Sequence, residues 1–207
     1  MTPTRVSGTF PGGASPRLLG HLPRHLSQSA AALVLSVLAD QLVPIYGQGG
    51  RSRQALAAGF NRRMCICAVD DDRIVGILGI QTEAAGFMDM RFSTLQRFYG
   101  IFGSLWRLAL LAFLHHSPMA GEAHIDGVAV APAYRGRGIG TAMITALAAW
   151  AAGQGLSMVS LEVVDTNPRA QTLYRHLGFR VVREQTVWPV GNLSGFRSST
   201  VMIKPLA

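Results

Sequence analysis

The chain has little cysteine and little lysine, and both shortages narrow its possible chemistry. Cys65 and Cys67 are the only cysteines among its 207 residues. They lie two positions apart in a strand-like run, where side chains point the same way, so neither a disulfide between them nor a zinc site is indicated. Lys204 is the single lysine, and we attribute that shortage to codon usage rather than to binding.

Long apolar runs are also missing, and we expect no secretory leader. The longest apolar stretch, Ile101 to Leu114, is interrupted by Arg107 and is shorter than the roughly 20 residues that cross a bilayer. The segment from Met1 to Gly20 lacks the continuous apolar core of a signal peptide. We therefore expect a cytoplasmic protein without a membrane span.

Charged residues make up only 14% of the chain and hydrophobic residues 49%, so a sizeable core can form. The length excludes two full-sized domains, and we expect a loose N-terminal segment over 1–24 and one domain over 25–207. The net charge of +8 suits nucleic acid, acidic lipid or a phosphorylated cofactor, and charge alone does not choose among them. Because the arginines near Arg51 and Arg62 fit a solvated helix face, we expect no nucleic-acid partner.

The first half of the chain predicts helices, a hairpin and an edge strand. Leu33, Val37 and Leu38 recur at helical spacing, in a helix that Pro44 is expected to end. Two β-runs around three aspartates predict an antiparallel hairpin, with the aspartates in the turn rather than on a metal. The expected elements are a strand at Arg17–Leu22, helices at Ser29–Val43, Arg53–Phe60 and Leu95–Leu114, and hairpin strands at Met64–Val69 and Ile74–Thr82.

In the second half strands and helices alternate, which predicts an α/β arrangement. The expected strands are Ala123–Val130, Ser157–Val164, Phe179–Val187 and Ser199–Ile203, and the expected helices are Ile139–Ala152 and Pro168–Leu177. The last strand is expected to close the sheet.

A glycine-rich turn, Tyr134-Arg-Gly-Arg-Gly-Ile-Gly-Thr141, connects the first of these strands to a helix. Backbone N–H groups and the helix dipole make such a junction an anion site. It is not a P-loop, because Thr141 stands where that motif requires lysine. The dinucleotide fingerprint also fails, because its sixth position counted from Gly136 is Thr141 rather than glycine. The turn therefore predicts a pyrophosphate cradle of another kind.

A second motif, from Asn167 to Phe179, predicts a helix with well-marked ends. Asn167 can cap it, Pro168 suits its first turn and Gly178 suits its end. Helical spacing places a tyrosine on its buried face, with a hydroxyl that needs a partner. The residues expected on that face are Ala170, Leu173, Tyr174 and Leu177.

Together the two motifs resemble the GNAT superfamily of acyl-CoA-dependent N-acetyltransferases. The resemblance covers residues 122–187. It rests on Arg135-Gly-Arg-Gly138-Ile-Gly140, followed at the family's distance by Asn167, Ala170, Tyr174 and Gly178-Phe179. It implies a mixed, mostly antiparallel central sheet flanked by helices, with strands splayed at a CoA cleft.

The resemblance also implies where acetyl-CoA binds as a co-substrate, and it implies no metal. The loop is expected to bind the pyrophosphate through backbone amides, and main-chain groups at Val128 and Val130 are expected to pair with the pantetheine arm. The residues implied to bind the cofactor are Val128, Ala129, Val130, Arg135, Gly136, Arg137, Gly138, Ile139, Gly140, Thr141, Asn167, Ala170 and Tyr174.

Two catalytic residues follow from the same resemblance. Tyr174 is expected to protonate the departing CoA thiolate, since a phenol with a pKa of about 10 is protonated at neutral pH. Several family members use a glutamate of the preceding strand as the base, and counting back from Arg135 places His124 there. Asp126, Glu162 or no dedicated residue remain alternatives.

We therefore expect transfer of an acetyl group from acetyl-CoA to a primary amine by direct attack. The alternative is a non-catalytic acyl-CoA-binding or interaction module on the same fold. The acceptor, a small-molecule or peptide amine, stays open. So does the role of the apolar segment 95–114, which can belong to the core, line the acceptor pocket or bury itself in a homodimer.

Overall fold

Seven strands form one sheet in the computed structural model, which describes residues 16–114, 117–186 and 197–206. The strands are β1 (Arg17–Leu19), β2 (Cys65–Asp70), β3 (Arg73–Gln81), β4 (Glu122–Val130), β5 (Met158–Val164), β6 (Arg180–Thr186) and β7 (Ser198–Pro205). Their order is β1-β2-β3-β4-β5-β7-β6, and only the β4–β5 pair is parallel. The predicted mixed, mostly antiparallel sheet is thus confirmed.

Helices cover both faces of this sheet. They are α1 (Ser27–Val37), α2 (Ala39–Tyr46), α3 (Gly50–Gly59), α4 (Phe92–Leu114), α5 (Ile139–Gly153) and α6 (Pro168–His176). On the first face Met143 and Leu147 of α5 pack with Ile125 in one core cluster. On the second face Tyr46 and Leu56 pack with residues of β2 and β3 in another. Side chains alternate along a strand, so the neighbours of Ile125 on β4 point to the second face.

The helix predicted at Ser29–Val43 is two helices. Leu38 leaves the helical region, with φ −106° and ψ 32°, and Pro44 lies inside α2 rather than at a helix end. The prediction that Pro44 ends the helix was wrong. The chain bends by 111° between the helical segments Arg24–Val37 and Ala39–Tyr46, and this turn brings Tyr46 into the core of the second face.

The long apolar helix α4 is only partly buried. It is bent at Gly100, where φ is 69° and ψ is −179°. Leu95 before the bend is fully buried, whereas Phe102 after it is 87% exposed. No single described helix is long and apolar enough to cross a membrane, and α1 with α2 passes that test only as a sharply bent pair.

The expected hairpin and edge strand are confirmed, whereas the expected place of the last strand was wrong. Asp71 and Asp72, at φ 43° and 60°, form the turn of the predicted hairpin. The predicted edge strand is β1, and Leu22 after it is fully buried, so this stretch packs on the domain. Residues 1–15 of the expected loose segment and Val187 of the expected strand lie outside the described residues. The last strand, β7, does not close an edge but fills the space between β5 and β6.

Candidate functional site

β4 and β5 begin as a parallel pair and then separate. Their pairing ends at Ile125 and Leu161, although β4 continues to Val130 and β5 to Val164. The register between β3 and β4 shifts at Asp126, and such a bulge bends a strand. A gap therefore opens between the two strands beyond Ile125, which confirms the predicted splay.

Main-chain groups of Val128 and Val130 point into this gap. Ala131, the residue after β4, donates its N–H to the carbonyl of Val75 on β3 at 2.9 Å. Main-chain groups alternate in direction along a strand, so those of Val130 and Val128 face the other edge. In agreement, the carbonyl of Val130 accepts from Nε of Arg135 at 3.3 Å.

The glycine-rich loop follows β4 and begins α5. Gly136 and Gly138 have φ of 75° and 78°, which favours glycine. A Cβ at Gly136, Gly138 or Gly140 would meet no atom within 4 Å, so the space in front of the loop is open. No side chain caps α5, and the N–H groups of its first turn, Ile139 to Thr141, have no acceptor within the helix. The loop thus has the donors and the room that an anion needs.

A tyrosine that sequence reasoning missed anchors this loop. Tyr134 donates its hydroxyl to Oδ2 of Asp70 at 2.8 Å, and this hydrogen bond raises the pKa of Tyr134. The guanidinium of Arg137 lies 5.0 Å from the centre of the Tyr134 ring. Arg135 and Arg137 are both exposed, so two cations flank the loop.

The ends of α6 are those that the sequence predicts. The side-chain oxygen of Asn167 accepts the N–H of Ala170 at 3.2 Å. At the other end Gly178 has φ 88°, and the N–H of Phe179 bonds to the carbonyl of Tyr174 at 3.0 Å. This Schellman-type end fixes the backbone of Tyr174 in the last turn of a helix that packs beside β5.

Tyr174 is half-buried, and its ring centre lies 5.9 Å from that of Phe179. Burial raises the pKa of Tyr174, so its hydroxyl is protonated at neutral pH. The predicted buried face of α6 is right for Tyr174, Ala170 and Leu177, which pack on the first core cluster. It was wrong for Leu173, which is 37% exposed because α6 contacts the sheet mainly through β5.

His124 belongs to a buried chain of hydrogen bonds where the gap begins. It is 5% exposed, and its Nδ1 lies 2.7 Å from Oγ of Ser160. Ser160 donates to Oε1 of Glu122, and Oε2 of Glu122 accepts the N–H of Met119 at 2.8 Å. Because the serine proton goes to the carboxylate, Nδ1 of His124 is the donor to Ser160. In the neutral form of the ring this hydrogen bond selects the tautomer with its proton on Nδ1.

The other two candidate bases differ in their surroundings. Asp126 is exposed at the bulge of β4, at the mouth of the gap. Glu162 accepts hydrogen bonds from Gln185, at 2.6 Å, and from Ser199. Glu162 is therefore held by β6 and β7, whereas the side chain of Asp126 is exposed.

Tyr46, Tyr99 and Arg107, which we call the mouth wall, form a chain of contacts on the second face of the sheet. Tyr46 is 1% exposed, and its hydroxyl has no hydrogen-bond partner among the described residues. Burial raises the pKa of Tyr46. The charges of Tyr99 and Asp126 raise it further, and the charge of Arg107 lowers it. Tyr99 donates to the carbonyl of Tyr46 at 2.8 Å, and the guanidinium of Arg107 lies 3.8 Å from the centre of the Tyr99 ring.

The structure places the predicted cofactor residues on β4, on the loop with the first turn of α5, and on α6. Ala129 and Ile139 are almost fully buried, so their side chains cannot contact a cofactor. Ala129 pairs with Ile77 of β3 and its main-chain groups face that strand, so of the two only Ile139 has a main-chain N–H to offer. Among the described residues, no three His, Cys, Asp or Glu side chains are grouped to hold a metal ion.

Comparison with known proteins agrees with this geometry. A sequence model described as the Acetyltransferase (GNAT) family matches residues 35–179. Thialysine N-epsilon-acetyltransferase of Mus musculus is 34% identical over 79 residues, which is 38% of this chain and 46% of the mouse protein. The chain thus spans less than half the length of this curated relative.

Two solved structures share the fold over nearly the whole chain. A GCN5-related N-acetyltransferase from Kribbella flavida has a TM-score of 0.59 and 20% identity, over 93% of this chain and 98% of its own. An agmatine N-acetyltransferase mutant has a TM-score of 0.60 and 15% identity, over 93% of this chain and 100% of its own. The family match covers most of the chain and the fold agrees with it, so this protein belongs to the GNAT acetyltransferase family.

Proposed function

We propose that the protein transfers the acetyl group of acetyl-CoA directly to a primary amine. One observation carries the proposal: the open main-chain edge of β4 leads from the gap straight into a loop with free N–H donors. The edge provides Val128 and Val130, and the loop provides Gly138 with the first turn of α5. An extended thioester with a pyrophosphate at one end matches that arrangement.

Each part of acetyl-CoA has a place along this path. Main-chain groups of Val128 and Val130 pair with the amides of the pantetheine arm. The N–H groups of residues 136–141 bind the pyrophosphate, aided by the dipole of α5. Arg135 and Arg137 add positive charge beside it, and Asn167 with Ala170 lies across the gap at the start of α6.

The chemistry needs an acid on the side of the leaving group. The amine nitrogen bonds to the thioester carbonyl carbon, the C–S bond breaks, and the sulfur departs with the electron pair. Donors on β4 polarise the carbonyl oxygen. Tyr174 gives its hydroxyl proton to the sulfur, and burial keeps that proton in place until the sulfur becomes negative.

The amine must also lose a proton, and we assign this step to His124. Ser160 and Glu122 support the assignment, since they fix the tautomer whose Nε2 carries the lone pair. Asp126 is the alternative, because it is exposed at the mouth and can act through a water molecule. Glu162 is less suitable, since Gln185 and Ser199 already donate to it.

The names of similar proteins suggest where to look for the acceptor. Thialysine and agmatine, named for a relative and a structural neighbour, are small molecules with primary amines. We therefore put small amines first in an acceptor screen and peptide amines second.

Calorimetric titration with acetyl-CoA, followed by a screen of amines for CoA release, tests the proposal. We expect micromolar binding, about −8 kcal/mol, and acetylation of at least one amine. A folded protein that binds acetyl-CoA but acetylates nothing would instead be a non-catalytic acyl-CoA-binding module. A folded protein that does not bind acetyl-CoA would overturn the proposal altogether.

A further inference from the structure

The part of α4 that follows Gly100 has polar groups inside and apolar side chains outside. Ser104 is fully buried and donates its hydroxyl to the carbonyl of Gly100 at 2.6 Å. Between residues 101 and 112 every exposed side chain is apolar, and we call this set the outer stripe: Ile101, Phe102, Leu105, Trp106, Ala109 and Ala112. Surface helices of globular proteins normally expose charged and polar residues, so the outer stripe indicates a surface that an apolar partner covers.

The outer stripe is a ridge rather than a groove. Phe102 is 87% exposed, and Ile101 and Leu105 are each 54% exposed. Its members recur at intervals of three or four residues, so they lie on one side of the helix over about 16 Å. Side chains that stand so far out of the protein suit a partner that yields around them.

The charges of this region are positive. α4 contains no Asp or Glu, and its two cations are Arg97, which is exposed, and Arg107, which is half-buried. Neither forms an ion pair among the described residues. Asp89, the acidic residue that precedes α4, is paired with Arg91 at 3.1 Å. The complement of this helix is therefore both apolar and anionic.

A second copy of the chain fits this description less well than a lipid surface does. A two-fold contact through α4 would bring the same surface of each copy together, and with it cations that have no acidic residue on α4 to meet. The exposed area is also small: Phe102 and Trp106 together expose about 200–300 Å², and Ile101 and Leu105 are smaller side chains. The stripe thus falls short of the roughly 800 Å² that each partner contributes to a stable dimer.

We propose that the outer stripe binds the surface of a membrane that carries anionic lipids. Phe102, Leu105 and Trp106 enter the boundary between headgroups and acyl chains, where the apolar face of an interfacial helix lies. Trp106 suits this depth, because its ring is apolar and its N–H is polar. Arg97 and the net charge of +8 attract the protein to the anionic headgroups. This binding does not depend on the proposed acetyl transfer.

Sedimentation of the full chain with lipid vesicles tests the inference. Vesicles of phosphatidylcholine with phosphatidylglycerol present an anionic surface, and vesicles of phosphatidylcholine alone present a neutral one. We expect binding to the anionic vesicles, binding to the neutral ones that is weaker by about 5-fold or more, and a loss of affinity as salt is added. Analytical ultracentrifugation without lipid should show a monomer.

Four variants locate the contact. F102S and L105S should each weaken vesicle binding, F102S by about 10- to 100-fold, as expected for a phenylalanine that is no longer buried. R97Q should weaken binding to anionic vesicles and leave binding to neutral ones unchanged. V182S is the matched control, since it removes an apolar side chain that is 52% exposed on β6, and it should bind as the wild type does.

Four results would overturn the inference. They are no vesicle binding by the folded protein, equal binding to the two kinds of vesicle, wild-type binding by both F102S and L105S, and an equal loss of binding in V182S. A dimer that F102S dissociates, in a protein that binds no vesicles, would assign the outer stripe to a second copy instead.

Discussion

Replacing Gly138 by alanine separates the backbone role of the loop from its binding role. Gly138 has φ 78°, and a Cβ there would meet no atom within 4 Å. The alanine therefore clashes with nothing, and its cost to folding comes from the left-handed backbone alone. That cost is about 1–2 kcal/mol for a residue other than glycine.

The effect on acetyl-CoA binding is larger than this strain. The new methyl group would stand at the N-terminus of α5, in open space on the side where the pyrophosphate is proposed to bind. If it keeps the pyrophosphate from one of them, a hydrogen bond to a charged group worth about 1.5–3 kcal/mol is lost. We therefore expect the Kd for acetyl-CoA to rise about 10- to 100-fold.

Gly155→Ala is the matched control for this variant. Gly155 has φ 75°, also has no atom within 4 Å of a Cβ, and follows the opposite end of α5. Chemical denaturation should show similar losses of unfolding free energy in both variants. Calorimetry with acetyl-CoA and with free CoA should show the loss of affinity only in Gly138→Ala. Wild-type affinity in Gly138→Ala, or an equal loss in Gly155→Ala, would refute the assignment of the loop.

Three further experiments test other parts of the site. Tyr174→Phe should lower kcat about 100-fold or more while calorimetry shows unchanged acetyl-CoA binding; an unchanged kcat would remove Tyr174 from catalysis. Ser160→Ala should lower kcat/KM and alter its dependence on pH, as His124→Gln should, and Ser160→Thr should restore both. Identical pH profiles in the wild type and these three variants would exclude His124 as the base. Gly76→Ala places a Cβ 2.9 Å from Cγ2 of Ile139, so it should lower the unfolding free energy by about 1–3 kcal/mol. It should also weaken acetyl-CoA binding, because it shifts the start of α5. Normal affinity for acetyl-CoA would show that α5 does not move.

The part of the site that the sequence predicts is the part with local signals. Gly138 stands where the backbone needs a positive φ, and Asn167 stands where a helix needs a cap. Each requirement arises between a residue and its close neighbours in the chain, so the sequence alone reveals it. The predicted helix Ile139–Ala152 accordingly differs from α5 by a single residue at its end.

Contacts between distant segments account for what the sequence did not predict. Ser160 meets His124 only because β5 lies beside β4 in parallel. The mouth wall joins the end of α2 to the middle of α4, two helices separated in the chain by α3 and a hairpin. The break at Leu38 is of the same kind, since it turns α2 so that Tyr46 reaches the sheet. No spacing within one element carries such information.

The two faces of the sheet also divide the proposed chemistry in the way that direct transfer requires. Tyr174 and the loop side of α5 pack with the first core cluster, so the acid stands with the cofactor. His124 neighbours Ile125 on β4, and therefore points to the second face, where Tyr46 and the mouth wall lie. An attacking amine and a departing sulfur need a base and an acid on different sides of the thioester carbon. In the proposed reaction the separation of the strands beyond Ile125 gives access to one carbon from both faces, and this links the sheet topology to the placement of the proposed base and acid.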